Sequence, residues 1–366
     1  MSGSLETEYI GLGELIRNRQ WLEVPRYQRD YAWKAGHVLQ FLEDISRSFH
    51  EGVKEYFMGL LVLMPKGSIS SRTYVILDGQ QRLATASMLF RAIAAELRTL
   101  PSSSEDPSSG DDSRVIREDF VAKHQLGEET RPHLVLNLAN NSTYQDTVVM
   151  VADDDYEPKK LRERANELGR YDSNRLLLGA AAEVINGLRR LKEDWGPATA
   201  GKQLVALAMY LQENVKVVCL EVQSPDEASR IFESLNDRGN ELSQLDLIKN
   251  HFYDVAREAI LPRWSTLFAQ LGNDEDPNKF IAKYWVSRHG RTAARNVFSE
   301  VRAATGTRAR VQSLLTDLED AAVHYLALQQ PADPFWSAYP PSIRKNLEAL
   351  SIVGAEHTTP ILLSAL

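Results

Sequence analysis

The spacing of apolar and polar positions divides the chain into a first part of mixed pattern and a later part of helical pattern. In residues 9–19 apolar side chains recur three or four positions apart, which predicts a short leading helix. Residues 56–64 and 73–77 are short runs of β-branched and aromatic residues, and they predict a hairpin or two adjacent strands. Residues 80–100 carry an alanine- and leucine-rich pattern that predicts a helix.

Beyond residue 100 the pattern becomes mostly helical. Residues 101–113 are rich in serine, proline and acidic residues, and we expect a mobile surface loop because they can bury little apolar surface. Long helical pieces follow, interrupted by one apolar strand over residues 215–222. We therefore predict an α+β fold, with an α/β domain over residues 1–150 and a mostly helical domain over residues 151–366.

Composition and charge limit the classes of protein to which the chain can belong. Of the 366 residues, 43% are hydrophobic and 25% are charged, which is typical of a soluble globular protein. The net charge of −8 gives the chain no overall positive field, so any contact with nucleic acid must use a local patch. The apolar stretch over residues 57–64 is too short to cross a bilayer, and the acidic N-terminus does not resemble a signal peptide. We expect a cytoplasmic protein without a membrane partner.

Cys219 is the single cysteine of the sequence. A lone cysteine excludes an intramolecular disulfide and a zinc site built from several cysteines. It stands in an apolar strand pattern, far along the chain from the motifs described next. We therefore interpret Cys219 as a small buried hydrophobic residue, which argues against thiol-based redox chemistry.

The strongest local motif is Asp-Gly-Gln-Gln-Arg over residues 78–82, called here the DGQQR box. A strand pattern ends at Asp78 and Gly79 and a helix begins at once, so free backbone N–H groups of the first helical turn lie near Arg82. This combination predicts an anion site, most simply a phosphate site, where Asp78 could hold a divalent metal such as Mg²⁺. The alternative is that Asp78 caps the helix and that Gln80, Gln81 and Arg82 are solvated.

A second motif is the aromatic loop, residues 25–33, which matches neither the helical nor the strand period. Its arginines supply forked donors for phosphate, and its rings supply flat faces for bases. The alternative is a rigid loop whose rings close the edge of the domain. The candidate DNA-contacting or modification-sensing residues of this loop are Pro25, Arg26, Tyr27, Gln28, Tyr31 and Trp33.

A third motif is the polar block, residues 232–250, in which polar side chains are dense beside an apolar face. Part of it is explained by residues that end and begin helices, because Gly239 follows Arg238 in a turn pattern and Ser243 suits an N-cap. Its candidate site residues are Asn236, Arg238, Asp246 and Lys249.

The basic window, residues 279–310, contains eight basic residues and one acidic residue in a chain that is acidic overall. With aromatic residues interleaved, this composition predicts a track for a DNA phosphate backbone. Solvated helix faces are an equally good interpretation. The candidate backbone contacts are Lys283, Arg288, Arg291 and Arg295.

Several of these motifs, taken together and in order, resemble the N-terminal domain of GmrSD-type restriction endonucleases. The resemblance rests on residues 25–33, 56–62, 78–85, 232–239 and 246–250. It implies a ParB/sulfiredoxin-like nucleotide-binding fold with a helical extension. It also implies a role in defence against phage, in which this domain binds and hydrolyses nucleoside triphosphate and a downstream HNH nuclease domain cuts DNA. Members that sense phosphorothioate DNA are the most similar in kind.

The resemblance assigns roles to individual positions. The DGQQR box is the expected NTPase motif, in which Asp78 places a metal or the attacking water and Gln80 or Gln81 orients that water. The resemblance and the anion-site argument together give these phosphate-holding candidates: Gly79, Arg82, Thr85, Arg29 and Gln28. The sequence lacks a His-x-Pro or zinc-spaced histidine cluster, so we expect the nuclease domain to lie outside this chain.

The expected ligands are GTP or ATP with Mg²⁺, and no bound organic cofactor. The expected partners are DNA, in particular modified DNA that stimulates hydrolysis, companion defence proteins and a second copy in a homodimer. A rival hypothesis is a nucleotide-gated switch that changes DNA affinity or dimerisation without turnover. A self-sufficient nuclease is disfavoured by the missing histidine cluster.

Overall fold

The computed structural model describes the chain with several gaps and divides it into two compact units. The described residues are 6–26, 28–68, 71–100, 109–124, 127, 129–169, 172–223, 244–271, 276–293 and 296–366. The first unit comprises Met1–Leu168 and Asp172–Gly239, and the second comprises Gly169–Tyr171 and Asn240–Leu366.

A six-stranded mixed sheet, in the order β1-β8-β3-β4-β2-β7, is the framework of the first unit. β8 pairs parallel with β3 and antiparallel with β1, while β3 and β4 form an antiparallel hairpin. β2 runs parallel to both β4 and β7, and β5 and β6 form a separate two-stranded ladder. The strands are β1 Glu6–Gly11, β2 Trp21–Glu23, β3 Tyr56–Pro65, β4 Thr73–Asp78, β5 Ala122–Lys123, β6 Arg131–Pro132, β7 Leu134–Val135 and β8 Val215–Glu221.

The central strands bury apolar side chains on both faces of the sheet, which explains their continuous apolar sequence. Leu61 and Leu63 of β3 belong to the main core, whereas Val62 between them joins a smaller cluster with Leu77 and Leu220. Because successive strand residues point to opposite faces, these two clusters lie on opposite sides of the sheet.

Helices of the first unit pack around α3, which is buried along almost its whole length. Alanines recur along α3, and their small side chains let neighbouring helices approach closely. The helices are α1 Leu12–Asn18, α2 Ala35–His50, α3 Gln80–Arg98, α4 Ser109–Phe120, α5 Asn141–Tyr144, α6 Pro158–Glu167, α7 Ser173–Trp195 and α8 Ala200–Glu213. A π-helical turn over Gln145–Val149 and a 3₁₀ turn over Asp153–Asp155 follow α5.

The described part of the second unit is helical. Its interior is rich in aromatic rings, among them Phe252 against Trp264 and Phe280 against Tyr325. Its helices are α9 Gln244–Ala256, α10 Leu261–Gln270, α11 Pro277–His289, α12 Val297–Ala304, α13 Arg308–Gln329, α14 Pro341–Ile352 and α15 Thr359–Ser364, with 3₁₀ turns at Arg257–Ile260, Pro334–Ala338 and Glu356–Thr358. Across the described residues of both units, no helix has the length and apolarity to cross a membrane.

The predicted α+β class and the hairpin of residues 56–64 and 73–77 are confirmed, while the ParB-like topology stays a prediction. The leading helix predicted over residues 9–19 is wrong in its first part. Residues up to Gly11 belong to β1, and α1 begins at Leu12. The reason is long-range pairing, because β1 aligns with β8 more than two hundred residues later in the chain.

The loop predicted over residues 101–113 is wrong from Ser109 onward, where α4 begins. Asp111 and Asp112 stand in the first turn of α4, where acidic side chains favour a helix, and Ile116 and Phe120 are buried farther along. Residues 101–108 lie outside the described part of the chain.

The division into units differs from the domain boundary predicted at residue 150. The structure keeps α6, α7 and α8 in the first unit, since α6 and α8 each pack on α7 and both α7 and α8 pack on α3. The strand predicted over residues 215–222 is β8, which lies between β1 and β3 in the sheet and therefore also belongs to the first unit.

The position of Cys219 in β8 predicts an unreactive thiol. Burial raises the pKa of the Cys219 thiol to about 11, so it stays protonated at neutral pH. We expect iodoacetamide to leave Cys219 unmodified in the native protein and to label it fully after denaturation, as measured by mass spectrometry. Rapid stoichiometric labelling of the native protein would contradict this placement.

Candidate functional site

The DGQQR box occupies the junction between β4 and α3, as its sequence predicts. Asp78 ends β4, and Gly79 precedes the first turn of α3 with a φ of +92°. This left-handed conformation favours glycine, and a Cβ at position 79 would lie 2.0 Å from Cδ2 of Leu61. The sharp strand-to-helix turn therefore depends on Gly79.

Arg82 is held against the neighbouring strand β3. Its Nη2 donates to the carbonyl of Leu60 at 2.6 Å and lies 3.5 Å from a carboxylate oxygen of Asp78. Gly59 makes room for this guanidinium, since its φ is +128° and a Cβ there would lie 2.1 Å from Nη1 of Arg82. The side chains of Arg82 and Asp78 are 26% and 39% exposed, so both charges remain accessible beside the N-terminus of α3.

Gln81 joins α3 to the aromatic loop. Its Oε1 accepts hydrogen bonds from the backbone N–H groups of Ala32 at 2.9 Å and Trp33 at 3.3 Å. Its Nε2 donates to the carbonyl of Asp30 at 3.1 Å. Because Gln81 is buried, these bonds replace water and fix the path of the loop backbone.

Two more glutamines strengthen the same junction. Nε2 of Gln80 donates to the carbonyl of Arg29 at 2.9 Å, and Gln80 is also buried. Nε2 of Gln28 donates to the carbonyl of Leu77 at the end of β4, again at 2.9 Å. The structure therefore brings the aromatic loop and the DGQQR box together as one site.

Tyr31 and Thr85, both predicted to contact ligands, face the interior instead of solvent. The Tyr31 hydroxyl lies 2.8 Å from Oγ1 of Thr85, whose own hydroxyl donates to the Gln81 carbonyl. Burial raises the pKa of Tyr31 far above its usual range, so the phenol stays neutral. Trp33 is half-buried, with its ring centroid 5.8 Å from that of Phe41.

Asn137 and Asn140 complete the site, and neither is among the residues predicted from the sequence. Nδ2 of Asn137 donates to the Gln28 carbonyl at 2.8 Å and to a carboxylate oxygen of Asp30 at 2.7 Å. Oδ1 of Asn140 accepts the Tyr31 backbone N–H at 2.7 Å. Both asparagines are almost fully buried. Their closeness in sequence, with another asparagine adjacent, was the available signal for a loop-organising turn.

The cavity enclosed by these polar groups is small. It is lined by Arg29, Tyr31, Gln80, Gln81, Leu136, Asn137 and Asn140, and its volume is about 10 Å³. That volume has room for about one water molecule. A larger ligand must therefore bind outside this cavity, where Pro25 is half-buried and Arg26 is exposed.

Within the described residues, no acidic side chain forms an ion pair with Arg29, and no group of three His, Cys, Asp or Glu residues could hold a metal ion. Asp78 is the acidic member of the DGQQR box. A single carboxylate suits Mg²⁺ that is bound mainly through substrate phosphates, since this ion keeps most of its other ligands as water.

Several predicted site residues lie outside the described part of the chain. These are Tyr27 of the aromatic loop, Asn236 and Arg238 of the polar block, Arg295 of the basic window, and the side chain of Asp246. Lys249 belongs to α9. The polar block therefore stays a prediction.

The basic window does not form one continuous stripe along α11. Nζ of Lys283 lies 5.5 Å from the centroid of the Tyr325 ring. Arg288, five positions later, points about 140° away around the helix. Arg291 follows the end of α11 and is exposed.

Replacing Gln81 with alanine tests the role of this side chain in holding the loop. The change removes three hydrogen bonds and leaves backbone groups of residues 30–33 without partners, so we expect a loss of about 2 kcal/mol in the free energy of unfolding. Chemical denaturation measures it. The exposed Gln312 supplies the control, and Gln312→Ala should change stability by less than about 0.5 kcal/mol. Equal effects would contradict the anchoring role.

A double-mutant cycle tests whether Gly59 makes room for Arg82. Gly59→Ala should destabilise the protein, and the loss should shrink by about 1 kcal/mol when Arg82→Ala removes the clashing guanidinium. Gly52→Ala is the control, because Gly52 also has a positive φ but no atom lies within 4 Å of its added Cβ. Additive effects of Gly59→Ala and Arg82→Ala would show that the two residues do not interact.

Comparison with known proteins identifies the family of this chain. The family described as GmrSD restriction endonuclease, N-terminal domain, matches residues 12–253, which is about two thirds of the chain. The matched range includes the aromatic loop, the DGQQR box and β8. No curated protein is similar enough to count as a match. The chain therefore belongs to the family of GmrSD restriction endonuclease N-terminal domains.

Proposed function

We propose that this chain is the sensor part of a modification-dependent restriction system that acts on phage DNA, and that it binds and hydrolyses nucleoside triphosphate. Membership of the GmrSD family makes it a component of a restriction system. The observation that carries the finer proposal is the N-terminus of α3, which has no side-chain cap and stands beside the accessible charges of Asp78 and Arg82.

This end of α3 suits phosphate chemistry. The unpaired N–H groups of the first helical turn carry partial positive charge, and Arg82 adds a guanidinium whose orientation is fixed by Leu60. Asp78 would hold Mg²⁺ or position the attacking water. Phosphoryl transfer needs mainly positioning and charge neutralisation, so no nucleophilic side chain is required.

The aromatic loop would carry the sensing function. Gln80 and Gln81 hold its backbone on the same helical turn that would bind phosphate, so a shift of that turn would move the loop. Replacing a phosphate oxygen with sulfur gives a larger and less hydrated group, which suits the half-buried Pro25 and Trp33 of this loop. Phosphorothioate DNA is therefore the modification that we propose for this loop.

One observation favours the rival function, a nucleotide-gated switch without turnover. The side-chain amides of Gln80 and Gln81 already bond to the loop backbone. A glutamine engaged in this way is poorly placed to orient an attacking water. In the rival function, nucleotide binding at α3 would reposition the loop and change DNA affinity without hydrolysis.

Phosphate release by the purified chain distinguishes the two functions. ATP or GTP is supplied with Mg²⁺, with plain or phosphorothioate DNA. We expect multiple turnovers that modified DNA stimulates, and a fall of about a hundredfold in Asp78→Asn and Arg82→Ala because each removes transition-state stabilisation. The control is Arg47→Ala, since Arg47 is an exposed arginine of α2 that contacts Asp44 one turn earlier.

Saturable nucleotide binding without turnover would reject the hydrolysing function in favour of the nucleotide-gated switch. Turnover that is equal in the wild type, Asp78→Asn and Arg82→Ala would contradict any catalytic role for the DGQQR box.

A further inference from the structure

A second cavity lies within the second unit, between the last turn of α11 and one face of α13. Its volume is about 520 Å³, which falls in the range of small-molecule binding sites. It is called here the α11–α13 cavity, and the lining residues that matter are Trp285, Arg288, His289, Arg310, Asp317 and Asp320.

Two guanidinium groups line this cavity without an acidic partner. Arg288 comes from the last turn of α11 and Arg310 from the first turn of α13. In the described part of the chain, neither forms an ion pair with a carboxylate. Guanidinium groups that line one cavity suit a phosphate, which each can bind through parallel hydrogen bonds.

Two carboxylates line the same cavity farther along α13. Asp317 and Asp320 lie seven and ten residues after Arg310, which corresponds to about 10 and 15 Å along the helix. They too lack an ion-pair partner among the described residues. The cavity therefore carries charges of both signs, and its carboxylates suit a ligand group that donates hydrogen bonds.

Tyr284 lies near charges of both signs. Burial, together with the nearby charge of Asp317, raises the pKa of Tyr284 to about 12, while Arg288 opposes the shift. Both charges therefore act on the Tyr284 phenol, which also lines the cavity.

An aromatic stack forms part of the wall. The rings of Trp285 and His289 lie 3.9 Å apart between centroids with an interplanar angle of 28°. Nε1 of Trp285 donates to Glu300 at 2.7 Å, which fixes the indole, and His289 is exposed. A planar base could continue this stack on His289.

His324 provides a separate observation, because one of its ring nitrogens lacks a hydrogen-bond partner in the described structure. Its ring lines the cavity, and its Nδ1 is buried without a hydrogen-bond partner in the described structure. Buried polar atoms without partners are uncommon, and a polar ligand group could satisfy this one.

We propose that the α11–α13 cavity binds a free mononucleotide whose base carries an amino group. Arg288 and Arg310 bind its phosphate, His289 stacks on its base, and Asp317 and Asp320 accept hydrogen bonds from the amino group. This site belongs to the second unit and does not depend on hydrolysis at α3.

Isothermal titration of the full chain with GMP and IMP tests the proposal, because the two ligands differ in the 2-amino group. The Arg82→Ala background keeps the α3 site from contributing. We expect saturable GMP binding, a preference for GMP over IMP, and a loss of about tenfold or more in affinity for Arg288→Gln with Arg310→Gln. Asp317→Asn with Asp320→Asn should abolish the preference for GMP. The control is Arg308→Gln, an exposed residue of α13 outside the cavity lining.

Three outcomes would overturn the proposal. The first is no saturable binding of GMP, AMP or CMP. The second is equal GMP affinity in the wild type and in the double arginine variant. The third is that a guanine-containing single-stranded oligonucleotide binds more tightly than GMP and that the double arginine variant loses this binding. That result would assign the cavity to a nucleic acid instead of a free nucleotide.

Discussion

The hydrogen bonds between buried glutamine amides and the backbone of residues 29–33 are the interaction on which the candidate site depends. A single hydrogen bond contributes only about 1 kcal/mol net, but an unsatisfied buried amide costs more, so these glutamines hold the loop in one position. Asn137 and Asn140 act from the other side of the loop in the same way. Because the glutamines stand on the first turn of α3, they link the loop directly to the end of that helix. A ligand that binds there, as proposed, would contact the turn that holds the loop.

The arginine of the site depends on the backbone of a neighbouring strand. β3 shifts its register against β8 between Phe57 and Gly59, and the space beside Gly59 receives the guanidinium of Arg82. The Leu60 carbonyl then fixes that guanidinium near Asp78. A β-bulge of this kind commonly redirects a side chain beside a functional site. Here it places a cation beside an uncapped helix N-terminus, which is the basis for proposing phosphate binding.

The polar residues around the two cavities are arranged in opposite ways. In the first unit the polar side chains of the site bond to one another and to the backbone, and they leave a cavity of about 10 Å³. In the second unit charged side chains line a cavity of about 520 Å³ without pairing among the described residues. Buried polar groups that are satisfied stabilise a fold, whereas the exposed charges around the larger cavity remain available to a ligand. This contrast separates a site that positions a loop from a site that could contact a small molecule.

The sequence by itself determined the α+β class, the β3–β4 hairpin, the helix after Gly79 and the family, because each depends on local pattern or motif order. It also indicated that Cys219 is buried, since apolar strand neighbours are a local signal. The tertiary structure alone decided that residues 6–11 form a strand, because their partner β8 lies far along the chain. It likewise decided that Gln80 and Gln81 bond to the loop and that Asn137 completes the site. Such hydrogen bonds join residues about fifty to a hundred positions apart, and sequence periodicity carries no information about contacts at that separation.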